Sequence, residues 1–459
     1  MQSKLTEGRV SSHLFKLTLP MIWGILSILA FSLADTYFVA QLGTQELAAI
    51  SFTFPVVNVL SSVAMGLGIG ASSIISRAIG EGDRQKVQQL TTDSLLLSLL
   101  IVVLLVVIGL TTIQPVFTAL GAGPDIIPLV HDYMSIWYLG MAFIVVPMVG
   151  NSAIRASGNT LVPSLIMTFA AGANILLDPA LIFGWGPLPA LGLKGAAIAT
   201  ALSYGSTLIA SLLFLHFRER LLSFQQSHPS QMLANWQSLL QVGVPAIATN
   251  LIAPLSVGIV VSLLAGYGAE AVAGFGLASK LESVALIIPI SLSASLGPFV
   301  GQNWGAQQRG RINRSLRLTA WFCLGWGALV ATVLGIKGAT IATWFNQSLD
   351  VIASAKIYLT IVPISYGALG IVLAASSAFN AMGKPILALG MSLSRLLALY
   401  LPLAYLGNWL FGIAGIYGAA CLANFIVGFW AWLWHSRWSK LLAEPHLESY
   451  PAVTESVLR

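Results

Sequence analysis

Apolar residues in this chain neither alternate with polar ones nor stripe one face of short helices; they run on. Runs long enough to cross a bilayer as a helix, about 20 residues, recur at 14–41, 47–76, 91–114, 127–149, 161–183 and 193–215. They return at 238–266, 271–300, 315–336, 353–378, 385–409 and 413–435. Lipid offers no partner to backbone N–H and C=O groups, so a spanning segment is a helix or part of a closed barrel. Barrel strands would alternate over roughly ten residues, and nothing here does. The pattern predicts an all-α integral membrane protein with twelve transmembrane helices.

The longest polar connection, Arg218 to Trp236, falls near mid-chain and divides it into an N-lobe (1–216), a linker (217–236), a C-lobe (237–438) and a polar tail (439–459). The lobes repeat one another at an offset of 225: Leu17–Pro20 against Val242–Pro245, Gly43 against Gly268, Arg77 to Gly80 with Arg84 against Gln302 to Gly305 with Arg309, and Ala153–Gly158 against Ala378–Gly383. Nearer the end the offset slips to 220, where Gly192 and Gly195 face Gly412 and Gly415. Six spans return the chain to its starting side, so the repeat is parallel, about an axis along the membrane normal. Two such half-bundles enclose a central cleft, and rocking them exposes it alternately. This is transporter architecture.

Composition agrees, with 57% hydrophobic and 8% charged residues against about 45–50% and 25% in soluble domains. The net charge of +6 comes from one side: 17 of the 22 Lys and Arg lie at the N-terminus, in the even-numbered loops or after the last span. The opposite loops hold only Lys194, Lys337 and Lys356, and Lys280 and Arg395 lie within helices. The positive-inside rule then expects both termini in the cytoplasm, and the basic balance is no nucleic-acid footprint. Leu14–Gln41 is too long for a signal peptide and is expected to be retained. Cys323 and Cys421 suggest neither a disulfide nor a metal site. The six histidines show no metal spacing, and Gly66, Gly68 and Gly70 inside an apolar helix mean close packing rather than a nucleotide loop. No enzyme is predicted, and no cofactor.

Ionisable groups at membrane depth are costly, about 2.5–3.5 kcal/mol for an Asp at a helix centre, and persist where they face a cavity, a partner or a proton path. Asp35 lies fifteen residues past Pro20, about 22 Å along a helix, in the outer half of the first span. Asn174 and Asp178 are i and i+4 on the fifth span, hence on one face. Pro179 is expected to break that helix and free carbonyls for a cation or proton, the alternative being that Asp178-Pro179 simply ends the helix at the surface. Pro20 and Pro245 occupy matching positions and mark candidate hinges, unless they sit in a first turn where proline is tolerated. Glu282 and Lys280 cannot share a face, and Arg395 has no assigned partner. Spans 7, 10 and 12 contain no Asp or Glu, which concentrates coupling chemistry in the first half.

Twelve helices, the parallel repeat, Pro20 with Asp35, and Asn174 with Asp178 together resemble the multidrug and toxic compound extrusion (MATE) family, in its DNA-damage-inducible-protein-F-like bacterial branch. The resemblance covers about Leu14 to Trp434. It implies a monomeric antiporter of the bacterial inner membrane that exports amphipathic organic cations in exchange for protons or sodium, protons being favoured. It implies that Asp35 is the protonation switch, hydrogen-bonded through Asn174, Asp178 and Thr200, and that Tyr133 and Asn151 line the substrate cavity. A flippase of the same superfamily moving lipid-linked precursors is the alternative, disfavoured because its pyrophosphate cargo needs several cations in the cleft.

Overall fold

The computed structural model describes residues 5–185, 189–223 and 228–441; most of the expected C-terminal tail lies outside the described residues. The first half contains α1 (Val10–Ala40), α2 (Thr44–Glu81), α3 (Arg84–Ala119), α4 (Ile127–Ala156), α5 (Leu161–Ile182) and α6 (Leu193–Glu219). The second contains α7 (Pro229–Ala265), α8 (Ala269–Gly305), α9 (Arg309–Thr343), α10 (Leu349–Ala381), α11 (385–411) and α12 (413–441). Local chemistry sets several boundaries. Gly82 ends α2 in the left-handed region, and Asp83 caps α3 by accepting from the Lys86 N–H at 2.9 Å. Pro229 sits in the first turn of α7, where its missing N–H costs nothing.

Among the described residues, eleven helical runs are long and apolar enough to cross a membrane. The last, Pro385–Trp434, is two spans. Gly412 (φ 60°, ψ −140°) reverses the chain and brings the backbones of Gly407 and Gly415 into contact. Its counterpart Gly192 has nearly the same conformation (φ 56°, ψ −131°) at the start of α6, so the repeat reaches down to backbone dihedrals.

Two helices begin earlier than the apolar runs suggest. α1 starts at Val10 and α7 at Pro229, which shortens the linker expected over 217–236. Pro20 and Pro245 are therefore helix-interior prolines rather than first-turn ones. α1 and α7 run through them uninterrupted, each leaving one carbonyl, that of Lys16 or Gln241, without its i+4 donor.

The two lobes interlock at the end carrying the basic loops. Leu5, Val10, Leu14 and Leu17 pack into the C-lobe with Leu292, Leu296, Phe299 and Val300 of α8. In mirror fashion Leu239 of α7 belongs to the N-lobe core. At the α2–α8 crossing, a Cβ on Gly80 would strike the Gln302 carbonyl, one on Gly305 the Arg77 carbonyl, and one on Gly301 the Ser76 side chain. Arg77 and Gln302, and Ser76 and Gly301, are themselves repeat mates, so a pseudo-twofold axis passes between them. Ser73 Oγ donates to the Asn380 carbonyl at 2.5 Å, and Gln302 Nε2 to the Ala156 carbonyl at 2.7 Å. Arg311 fastens the segment before α1 by donating to the carbonyls of Leu5 (2.9 Å) and Gly8 (2.7 Å). Within lipid depth helix association rests on close packing and polar bonds rather than on the hydrophobic effect. Among the described residues, the hydrogen bonds and ring contacts between lobes all lie in this half, so the cleft opens toward the opposite end.

Candidate functional site

Four helices of the N-lobe converge in its half away from the seal. α1 is set against α5 from nearer the basic end, where Gly24 lies against Ser164 and Ser27 Oγ and Thr168 Oγ1 are 2.9 Å apart. α1 meets α6 through Phe31 and Tyr204, whose rings stand edge to face at 5.8 Å. This packing carries Asp35 of α1, Tyr133 of α4, Asn174 and Asp178 of α5, and Thr200 and Tyr204 of α6 into the same half of the lobe.

Asn174 and Asp178 are completely buried, 0% exposed, as are all but a small part of Tyr133 and Thr200. The shared face read from i, i+4 spacing is realised: Asn174 Nδ2 donates to Asp178 Oδ1 at 3.1 Å. Asp35 is half-buried and lies within electrostatic reach of Asp178, Tyr133 and Tyr204. Asp35 Oδ1, Asp178 Oδ2 and Asn174 Oδ1 are buried and accept no hydrogen bond. Buried acceptors without donors are uncommon and destabilising. Two of the three belong to the carboxyls of Asp35 and Asp178 and the third to the amide of Asn174, a set with the chemistry to accept a proton or a cation.

The structure departs from the sequence reading at three points. α5 is not broken at Asp178-Pro179; it continues to Ile182, and the one carbonyl deprived of its donor is that of Ile175. The burial of Asp178 also excludes a surface helix end. Asp35 makes no hydrogen bond to Asn174, Asp178 or Thr200, so the relay implied by family likeness is present only as its Asn174–Asp178 link. Asn151 does not join Tyr133. Both are on the continuous helix α4, but eighteen residues place them about 27 Å apart along the axis, which puts Asn151 by the seal.

Sequence reasoning left a second polar cluster unassembled, inside the C-lobe. Tyr358 of α10 donates to Glu282 of α8. Arg395 of α11 donates to Asn424 Oδ1 of α12 at 3.1 Å, and Asn424 Nδ2 to Ser365 Oγ at 2.9 Å. Arg395 and Glu282 attract each other across this cluster. Arg395 lies in a π-helical stretch, Ser394–Tyr400, a local widening of the helix that recurs at functional sites. Glu282 thus faces the C-lobe interior, with Arg395 within its electrostatic reach. The signal available was the presence of an acid and a base at membrane depth in one lobe. Among the described residues, no group of His, Cys, Asp and Glu is arranged to hold a metal ion.

Comparison with known proteins follows the same outline. The family model MatE matches residues 20–180 and again 245–406, two stretches that begin on Pro20 and Pro245. A curated "FAD transporter" of Shewanella oneidensis is 42% identical over 92% of this chain and 94% of its own length. "Multidrug export protein MepA" of Staphylococcus haemolyticus is 26% identical over 93% of each. Among solved structures, the Vibrio cholerae MATE transporter VcmN in its bent form superposes with a TM-score of 0.89 at 33% identity, covering 94% of this chain and 98% of that one.

Proposed function

The chain belongs to the MatE family of membrane transporters, and from that premise we propose that it is a proton-driven antiporter whose coupling site is the Asp35–Asn174–Asp178 pocket of the N-lobe. The observation that carries this reading is the trio of donor-less buried oxygens on Asp35, Asn174 and Asp178. A carboxyl held out of bulk water accepts a proton or a cationic guest, and the two compete. A ligand shifts a two-state equilibrium only by its differential affinity for the states, so a proton and a cargo that exclude one another drive opposite halves of a cycle. The positive-inside rule puts the sealed, basic end in the cytoplasm and both termini with it, which makes the described state open to the outside. Coupling to protons on that side resets the cleft inward.

The acidic pocket supports amphipathic organic cations as cargo. A second reading is favoured by the 42% identical relative named for FAD: a cargo carrying anionic groups, held outside the N-lobe pocket while Asp35 still couples the proton. In reconstituted vesicles, an imposed proton gradient is expected to drive transport and a sodium gradient alone to leave it at background. Transport indifferent to both gradients would end the antiporter reading.

Pro20 supplies the hinge in this scheme. Pro20→Ala restores the N–H that the Lys16 carbonyl lacks, so α1 should stiffen. The expected result is a several-fold slower transport rate at unchanged protein level, with a higher unfolding temperature. An unaltered rate would remove bending at Pro20, and by symmetry at Pro245, from the cycle.

A further inference from the structure

We infer that Lys280 is the anion-recognising residue of the central cleft, and that this transporter takes a cargo bearing phosphate groups, held by Lys280 on the C-lobe wall. The inference rests on the second cargo reading above and develops it in place of the first; it does not rest on the identity of the coupling residue.

The orientation of Lys280 follows from helix arithmetic and from burial. Lys280 precedes Gly305 by 25 residues on α8, about seven turns of 3.6 residues, and so shares the face with which Gly305 meets α2. Glu282, two residues on, comes out on the far side, as its bond to Tyr358 shows. The exposure pattern agrees. Residues Ala273, Gly276, Lys280, Ser283 and Val284 form the exposed row of the outer half of α8, while the same row farther down, through Pro298 and Gly301, is buried against the N-lobe. The exposed row is therefore the cleft wall.

Lys280 is also electrically alone. It is exposed and has no ion-pair partner among the described residues. It lies eleven residues inward from the start of α8, about 17 Å, a depth at which a cation is retained where it faces a cavity or a partner. The deep cation of the C-lobe interior, Arg395, is buried, donates to Asn424 and lies in the field of Glu282. The facing positions on α2, the repeat mates of Lys280 and Ser283, are Pro55 and Asn58, both exposed and uncharged. An unpaired ammonium on a cleft wall repels organic cations and attracts anions. The relative named for FAD, a dinucleotide joined by a pyrophosphate, supplies the chemical class.

The test is binding to the purified full-length transporter, read by flavin fluorescence polarisation, with FAD, FMN and riboflavin as probes. They share the flavin; FMN adds one phosphate to riboflavin, and FAD a pyrophosphate that carries adenosine, so FMN isolates the phosphate. FAD and FMN should bind at least tenfold more tightly than riboflavin. Lys280→Gln should erase that difference without weakening riboflavin, Lys280→Arg should keep it, and raised salt should narrow it. Coupling is read separately, as the gradient dependence of transport by the wild-type protein, so phosphate preference retained without gradient dependence registers failure of the coupling reading alone. The inference is overturned if wild-type protein binds the three probes alike or binds none. It is equally overturned if Lys280→Gln leaves the preference for FAD in place or weakens all three probes together.

Discussion

Asp35→Asn should reduce gradient-driven transport to the level of vesicles lacking the protein while leaving its amount in the membrane unchanged. The substitution keeps size and shape and removes the exchangeable proton. Half-buried among acceptors, a neutral amide also costs less to hold at membrane depth than a carboxylate, and its NH2 can donate to neighbouring oxygens that now lack a donor. Folding should therefore be preserved or improved as activity disappears. Asp178→Asn should do less, because Asp178 already shares one oxygen with Asn174. The measurement is transport under an imposed proton gradient, normalised to protein recovered in the membrane. Gradient-driven transport persisting in Asp35→Asn would dismiss Asp35 as the coupling group.

Gly80→Val should act from the other end of the molecule and be as disabling. A Cβ at Gly80 collides with the backbone of Gln302, and backbone cannot move aside as a flexible side chain can. Overpacking of this kind costs typically about 1–3 kcal/mol, enough to shift a two-state equilibrium about 5- to 150-fold. The penalty falls on the state whose basic end is sealed, so the variant should dwell in the opposite state and transport slowly. Accessibility reads this directly. With Cys323 and Cys421 replaced by alanine, a cysteine introduced at the buried Ala156 should be labelled much faster from the basic side in Gly80→Val than without it. Equal labelling would mean that the α2–α8 crossing tolerates the valine and does not gate the cleft.

The fold was legible because lipid imposes a simple rule: spans are long and apolar, and the breaks between them are short and polar. The mid-chain repeat was legible for a related reason, since glycines demanded by backbone contact or dihedral, such as Gly192 and Gly412, survive at fixed spacing. Helix ends were less legible. The amphipathic first turns of α1 and α7 lie beyond the hydrocarbon and carry Lys16, Gln231 and similar residues, so the apolar runs begin late. In the N-lobe pocket the i, i+4 spacing of Asn174 and Asp178 gave a shared face, and the structure supplies the bond. Tyr133 and Asn151, both given to the cavity by family likeness, lie about five turns apart on α4, as their spacing already implied. The C-lobe cluster was beyond reach of local pattern: its bonds join residues 76, 29 and 59 positions apart, and only the packing of α8, α10, α11 and α12 brings them together.

The mirrored contacts at the α2–α8 crossing have the geometry of an isologous dimer, in which the same patch meets itself across a twofold axis. A true dimer of identical chains would place every acid and every base twice. Joining the copies in tandem lifts that restriction: Asp35 faces no carboxylate twin, its counterpart being Val260, and Lys280 has Pro55 in its stead. Covalent duplication thus frees each module to carry its own ionisable groups at equivalent depths, an acid in one and a base in the other, on either side of a shared axis.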